Sequence, residues 1–524
     1  MLKIELYDTT LRDGSQGEGI SYSVMDKLRI AEELDKLGVH FIEGGWPGSN
    51  PKDMEFFQKA AQHSFKNSKL VAFGSTRRPH SKASQDANLK VFLKSGVEFV
   101  TIFGKTWDLH VEDVLKTTLE ENLKMIEDTV SFLVSKGMTV FYDAEHFFDA
   151  FAANKQYSLK CLFAAQKAGA RAIVLCDTNG GSITSKIASV VKEIRPQINV
   201  SLGIHCHNDC GLAVANTLAA VEAGADLVQG TINGYGERCG NADLVPIIAN
   251  LKLKLGVSCI ASEKLKELTH VSRFVAEVSN MRLKNDQPFV GESAFAHKGG
   301  VHINAVMKNP KTYEHIDPAL VGNHRRILVS ELGGKTGIFL RAKALELGLD
   351  KEDPKTKQIL KLVQDLEHKG YHFEAAEASF EILLKKALKK YNKFFDLEGF
   401  RVVIEKVSNK KITSEAIIKV KVNGVKEHTA AEGDGPVNAL DNALRKALKD
   451  FYPTLSKMHL SDFKVRVLDE KSGTAARVRV LIQSQDEADT WSTVGVSENI
   501  IEASWQALSD SVEYKLLKDK LKHE

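Results

Sequence analysis

TVFYDAEHFFDAFAANKQYSLKCLFAAQKAGARAIVLCDTNGGSITSKIASVVKEIRPQINVSLGIHCHND, residues 139–209, holds three short β-rich runs separated by stretches of helical periodicity. The runs are TVFYDAEHF (139–147), AIVLCDTNG (172–180) and SLGIHCHND (201–209). Short strands alternating with helices at this spacing predict parallel strands joined by crossover helices. The same unit recurs on both sides. KIELYD (3–8), FIEGG (41–45), KLVAFGS (69–75) and FVTIFG (99–104) precede the stretch, and LVQGTINGYGE (227–237) follows it. Eight such units predict a closed (β/α)8 TIM barrel, an α/β fold. An open doubly wound sheet would want a glycine-rich phosphate loop after the first strand, where this chain has DTTLRDG. Several helical stretches stop at a glycine just before the next strand: Gly38, Gly96, Gly137, Gly169 and Gly224.

Composition sets the outer limits. A chain of 524 residues is long enough for roughly three domains. Lys and Arg number 71 against 68 Asp and Glu, so there is no basic field to hold a phosphate backbone, and nucleic acid is not an expected partner. The start, MLKIELYDTT, has acidic residues where an export signal would be apolar, and no uncharged run reaches the length of a membrane span. The expected location is therefore the cytoplasm. The six cysteines, Cys161, Cys176, Cys206, Cys210, Cys239 and Cys259, are expected to be free thiols there.

In barrels of this kind the chemistry sits at the C-terminal ends of the strands. The polar residues there are Arg12, Asp13, Glu43, Glu145, Asp177, Thr178, His205, His207 and the run Asn233 to Asn241. His205 and His207, two apart on a strand, share one face and come within reach of one ion. Asp13, placed on the first strand, closes against the eighth and so stands near the seventh; Asn241 follows the eighth in GERCGNAD. Imidazole, carboxylate and amide donors without cysteine suit Mn, Mg, Co or Zn with positions open to substrate oxygens. The alternative is a pair of histidines satisfying internal hydrogen bonds. Cys206, between them, points to the opposite face and reads as core. Arg12 would steady a developing oxyanion or form a structural ion pair. Thr178 would hold a substrate carboxylate or cap the helix that follows it.

DTTLRDGSQGEG near the start, HCHNDCGLAVAN and NGYGERCGNADL resemble the metal-dependent Claisen-condensing enzymes of the isopropylmalate, homocitrate and citramalate synthase family. GGWPGSNPKD (44–53), AFGSTRRP (72–79) and FYDAEHFFD (141–149) are most similar to its citramalate-forming branch. The resemblance runs through essentially the whole chain. It implies acetyl-CoA and pyruvate as substrates and a divalent metal held by Asp13, His205, His207 and Asn241. It also implies a catalytic Arg12, Glu145 in the proton-transfer machinery, and Thr178 on the oxo-acid carboxylate. The chain departs from the family pattern at Asp143-Ala144, just before Glu145. Competing readings are a 2-isopropylmalate synthase with a larger oxo-acid pocket and a metal-dependent aldolase or lyase.

Three domains are expected: the catalytic barrel over 1–268, a helical linker subdomain over 269–392, and an α+β regulatory or dimerisation domain over 393–524. The linker holds FAHKGGVHINAV (295–306) and a Gly-rich, His-rich run beyond it. By the family resemblance, His302 and Tyr313 match a histidine and a tyrosine that reach the active site of the partner subunit, implying a homodimer. His302 is then a base or base relay working with Glu145, and an imidazole titrates in the range such a step needs. The last segment repeats itself. FRVVIEKVSNKKITSEAIIKVKVNG then GDGPVNALDNALRKAL is echoed by FKVRVLDEKSGTAARVRVLIQ then STVGVSENIIEASWQALSD, about 63 residues on. Each half leads through small residues into the start of an amphipathic helix, where backbone amides take up a carboxylate. The expectation is an effector site, with isoleucine as the feedback inhibitor the resemblance suggests, or a dimerisation module without a ligand.

Overall fold

The computed structural model of the protein describes residues 3–328, 334–345, 347–350, 353–406, 412–468 and 476–523. Residues 329–333 of the linker and 407–411 and 469–475 of the repeat therefore lie outside the described residues. The chain forms two compact units, Met1–Phe295 with Ile316–Arg325, and Ala296–His315 with Arg326–Glu524.

The first unit is the expected barrel. Its strands are β1 (Glu5–Asp8), β2 (Phe41–Gly45), β3 (Lys69–Ser75), β4 (Phe99–Lys105), β5 (Thr139–Glu145), β6 (Ala172–Asp177), β7 (Ser201–Cys206) and β8 (Leu227–Gly230). They pair in sequence order, all parallel, and β1 closes the ring against β8 with Glu5 opposite Leu227 and Asp8 opposite Gly230. Tyr7, Phe41, Val71, Phe141, Ala172, Val174, Cys176 and Leu227 fill the lower interior, so the barrel is a packed core open to chemistry only at its C-terminal end. The flanking helices carry apolar faces onto the outside of the strands, as Leu28, Ala31 and Leu34 of helix Val24–Leu37 do.

Where β1, β7 and β8 stop matters for the site. β1 ends at Asp8, whose carboxylate accepts from the Thr10 amide at 2.9 Å and the Thr10 hydroxyl at 2.8 Å, a local turn that competes with the ladder. Asp13 is therefore not on the first strand; it begins the short helical turn Gly14–Gln16. β7 ends at Cys206, and His207 instead forms an isolated antiparallel bridge with Asn241. β8 ends at Gly230, where a side chain would come within 2.5 Å of the Ala242 carbonyl. Cys206 does face away from the histidines: it is buried in the core, and burial pushes its thiol up. Among the six free cysteines only Cys210 and Cys239 are exposed.

The loop after β2 is held from below. The buried Lys27 ammonium donates to the Gly44 carbonyl at 2.8 Å and to Asp53 at 2.5 Å, and Asp53 accepts the Trp46 amide at 2.9 Å. Gly44 has no room for a side chain, since a Cβ would lie 2.3 Å from the Phe56 ring. This fixes Trp46 at the mouth of the barrel.

The second unit begins with a two-residue parallel pair, β9 (Ala296–His297) and β10 (Arg326–Ile327), and helix Gly300–Lys308. After helices Pro354–His368 and Glu377–Ala387 come two copies of one motif. β11 (Asp396–Glu405), β12 (Thr413–Val422) and β13 (Val425–Gly433) form an antiparallel sheet followed by helix Pro436–Leu448. β14 (His459–Val467), β15 (Val478–Gln485) and β16 (Thr490–Ser497) repeat it before helix Ile500–His523, and β14 begins 63 residues after β11. Ala416, Ile418, Val420 and Val422 on β12, with Val480 and Ile482 on β15, meet Leu440, Leu444 and Leu508 of the helices in one core. Among the described residues no helix is long and apolar enough to cross a membrane.

Candidate active site

Asp13, His205 and His207 present ligand atoms that all lie within 4.8 Å of one another. His205 Nε2 is 3.3 Å from His207 Nε2 and 3.4 Å from Asp13 Oδ2. Three elements deliver them: the turn after β1, the end of β7, and the extended residue beyond it, brought together because β1 closes on β8 beside β7. Asn241 arrives through its bridge with His207 and donates its Nδ2 to Asp13 Oδ2 at 2.8 Å. As placed, its amide supports the carboxylate and its Oδ1 faces Gly236, where a Cβ would lie 2.3 Å away; a half-turn of the amide would bring the oxygen among the ligands.

The electrostatics keep these groups in the forms that bind a cation. Burial works to raise the Asp13 acid, but Arg12 and the two imidazoles outweigh it and hold it at about 2. Burial, then the neighbouring His205, push His207 down to about 4, so its ring stays neutral. Asn241 Oδ1 and His207 Nδ1 are buried without a hydrogen-bond partner, a cost that a polar structure rarely tolerates without purpose. This donor set fits a divalent cation, and residues of this type leave positions open for substrate oxygens.

Arg12 lies beside the cluster, 3.6 Å from Asp13, with its Nε donating to Glu43 at 2.6 Å and its guanidinium 3.8 Å above the Phe73 ring. Burial works against its charge, but Asp13 and Glu43 outweigh that and hold it protonated above the ordinary arginine range. Glu43 is occupied at both oxygens, since Tyr7 donates to Oε2 at 2.6 Å. It therefore orients Arg12 and does not line the open space. Glu145, at the end of β5, pairs with Lys105 at the end of β4, its direct neighbour in register.

The Thr178 hydroxyl accepts from the His146 amide at 2.8 Å, which leaves its own proton free to donate. It does not cap the following helix, Thr184–Ile194, whose N-cap is Ile183. Asp177 is taken up by Ser182, and Asn233 by Ser272, so both hold loops in shape. His302 and Tyr313 belong to the second unit, where their rings stack at 4.1 Å and both are exposed.

A cavity of about 250 Å³ opens over the cluster, lined by Arg12, Asp13, Glu145, Thr178, His205 and His207. Trp46, Phe73, Phe103 and Asp143 form a further part of its wall, together with Gln16, Cys176, Glu237 and Arg238; the Phe73 and Phe103 rings stack at 5.4 Å and Trp46 is set edge-on to both. Sequence reasoning passed over these aromatics, Lys105 and Gln229. Phe73 and Phe103 stand inside runs that read as ordinary strand residues; the signal for Gln229 was a lone amide in an apolar strand. Burial, with Glu43 beside it, pushes the Asp143 acid up, against the pull of Arg12.

Comparison with known proteins places the chain among described relatives. The HMGL-like family matches residues 3–275, a homocitrate synthase post-HMGL domain-like family matches 289–370, and the LeuA allosteric (dimerisation) domain matches 374–516. The chain is 55% identical to the (R)-citramalate synthase of Aquifex aeolicus, over 99% of this chain and 98% of that one. It is 54% identical to the (R)-citramalate synthase of Geobacter sulfurreducens over the same shares. The 2-isopropylmalate synthase of Methanocaldococcus jannaschii is 32% identical over 98% and 95%.

The depressed His207 has a consequence for stability. Its folded value of about 4 lies below the ordinary 6.5, so the unfolded chain binds the extra proton first. The contribution is fully present above about pH 6.5 and is lost as pH falls toward about 4, by about 3 kcal/mol at most. Urea unfolding of the metal-free protein across this range should show that loss, and His207→Ala should flatten it; equal slopes in both proteins would contradict the assignment.

Proposed function

Because the chain belongs to the citramalate synthase family and is an enzyme of the acyltransferase type, we propose that it condenses acetyl-CoA with pyruvate and water, giving citramalate and CoA, on the route to isoleucine. The observation that carries this reading is the Asp13–His205–His207 cluster opening on a small cavity that also holds Arg12, Glu145 and Thr178. The stacked Phe73 and Phe103 and the edge of Trp46 narrow that cavity, which suits a short 2-oxo acid.

Pyruvate binds with its carboxylate against the Thr178 hydroxyl, whose acceptor side is already filled by His146. A divalent cation held by Asp13, His205 and His207, joined by Asn241, would supply Lewis-acid polarisation of the keto group. Arg12, held rigid by Glu43, puts a permanent charge where the keto oxygen gains negative charge under attack. Glu145, oriented by Lys105, works with His302 and Tyr313 of the partner subunit to take a proton from the acetyl methyl group. The resulting carbon nucleophile adds to the keto carbon, and hydrolysis of the thioester then releases CoA, which makes the overall reaction effectively irreversible. The exposure of His302 and Tyr313 in their own unit suits groups that work outside it.

The second unit supplies regulation in this reading. A cavity of about 720 Å³ lies between helix Pro436–Leu448 and β14, lined by Val437, Asn438, Arg445, Leu460 and Phe463. Arg445 is held by Asp441 at 2.9 Å and by the Leu455 and Met458 carbonyls. The apolar wall and the helix start beside Val437 and Asn438 suit a branched amino acid with its carboxylate at the backbone amides.

Thiol release measured with acetyl-CoA against a panel of 2-oxo acids should give pyruvate the highest kcat/KM, with activity lost on chelation and restored by divalent metal. A preference for 2-oxoisovalerate would favour the isopropylmalate reading, and full activity after chelation would remove the cation from the mechanism. His302→Ala should lower kcat roughly 10²- to 10⁴-fold, the usual worth of a positioned base, with little change in pyruvate binding; an unchanged kcat removes it. Isoleucine should weaken substrate binding by about 5- to 150-fold, the usual size of an allosteric coupling. Calorimetric titration of isoleucine, leucine and valine into the intact protein checks this, and tighter binding of leucine points to the other branch.

A further inference from the structure

We infer that Gln229 and Asp143 are positioning residues that set the tautomer of His205 and so aim its Nε2 lone pair at the cation position. The inference deepens the metal-dependent reading above and rests on it for its consequence, though not for its geometry.

Gln229 is fully buried in β8, a strand otherwise apolar, and stands directly opposite His205 of β7 in register. A buried amide is costly unless both its ends are paired. Here both are: Oε1 lies 2.9 Å from His205 Nδ1, and Nε2 donates to Asp143 Oδ1 at 3.0 Å. Asp143 reaches the same point from β5, across the barrel interior. The three side chains thus form one chain of hydrogen bonds under the ligand cluster.

The chain has a direction because an amide has one donating and one accepting end. In the structure Gln229 Nε2 faces Asp143 Oδ1, which accepts from it, and Oε1 is thereby turned toward His205. Oxygen can only accept there, so His205 Nδ1 carries the hydrogen. In a neutral imidazole the other nitrogen then holds the lone pair. That nitrogen, Nε2, is the one 3.4 Å from Asp13 Oδ2 and 3.3 Å from His207 Nε2. The opposite tautomer would set the Oε1 lone pair against the Nδ1 lone pair and put a hydrogen where a ligand is needed. Partners of this kind, bound to the far nitrogen of a metal-binding histidine, fix both ring orientation and tautomer.

Co²⁺ titration, followed by its visible absorption, into wild type, Gln229→Leu, Gln229→Glu and Asp143→Asn tests the inference. Gln229→Leu should lower Co²⁺ affinity about 10- to 100-fold. Gln229→Glu, which keeps an accepting oxygen at the same place, should stay near wild type. Asp143→Asn, which can present an N–H where Oδ1 now accepts and so lets the Gln229 amide turn, should fall between them. Wild-type affinity in Gln229→Leu, or a loss in Gln229→Glu as large as in Gln229→Leu, overturns the inference, and wild-type affinity in Asp143→Asn overturns the part assigned to Asp143. Nitrogen NMR of wild-type protein carrying ¹⁵N-histidine, without metal, needs no variant: the His205 proton should sit on Nδ1, and finding it on Nε2 overturns the inference whatever the variants do. A wild type that binds no Co²⁺ but keeps the proton on Nδ1 would sink the metal-dependent reading and leave the tautomer assignment standing.

Discussion

Closure of β1 against β8 is the constraint on which the site depends. The ring places the turn after β1 next to the end of β7, and so sets Asp13, some 190 residues away in sequence from His205, 3.4 Å from its imidazole. No local propensity does this; parallel pairing around a full barrel does. The strand ends then do the finer work. Because β7 stops one residue short of His207, that residue is free to bridge Asn241, and the segment after β8 folds back over the barrel mouth in consequence.

Placing charge in such a core is expensive, and the barrel offsets it by pairing. Arg12 lies between Asp13 and Glu43, Glu43 takes a second bond from Tyr7, and Lys27 is matched to Asp53 under the Trp46 loop. A buried pair of this kind adds little net stability, while removal of one partner costs several kcal/mol. What the pairs supply is orientation. Arg12 is pinned over the Phe73 ring, and the loop carrying Trp46 has one shape. The polar groups under the cavity form a connected set, and each holds a neighbour in the form the chemistry needs.

The second unit follows a different logic. Two sheets and two helices built on one repeated pattern share a core of Ile418, Val420, Leu444, Ile482 and Leu508. β11 and β14 keep apolar residues exposed, among them Val403, Ile404, Phe463 and Val465. The LeuA allosteric (dimerisation) domain matches this part of the chain.

The barrel was legible in the sequence because strand and helix periods alternate eight times, and that pattern records only local burial. The repeat at about 63 residues was legible for the same reason. The two histidines of HCHND stood out because their spacing puts both rings on one side of the chain whether or not the strand continues. Tertiary structure decided what periodicity cannot carry: that Asp13 lies in a turn and not on β1, because Asp8 spends its carboxylate on Thr10, and that Glu43 serves Arg12. It alone showed that Lys105 faces Glu145, that Phe73 and Phe103 stack into a wall, and that Gln229 joins His205 to Asp143. The side-chain contacts between strands depend on register, and register is set by the closure of the whole sheet, which no single segment encodes.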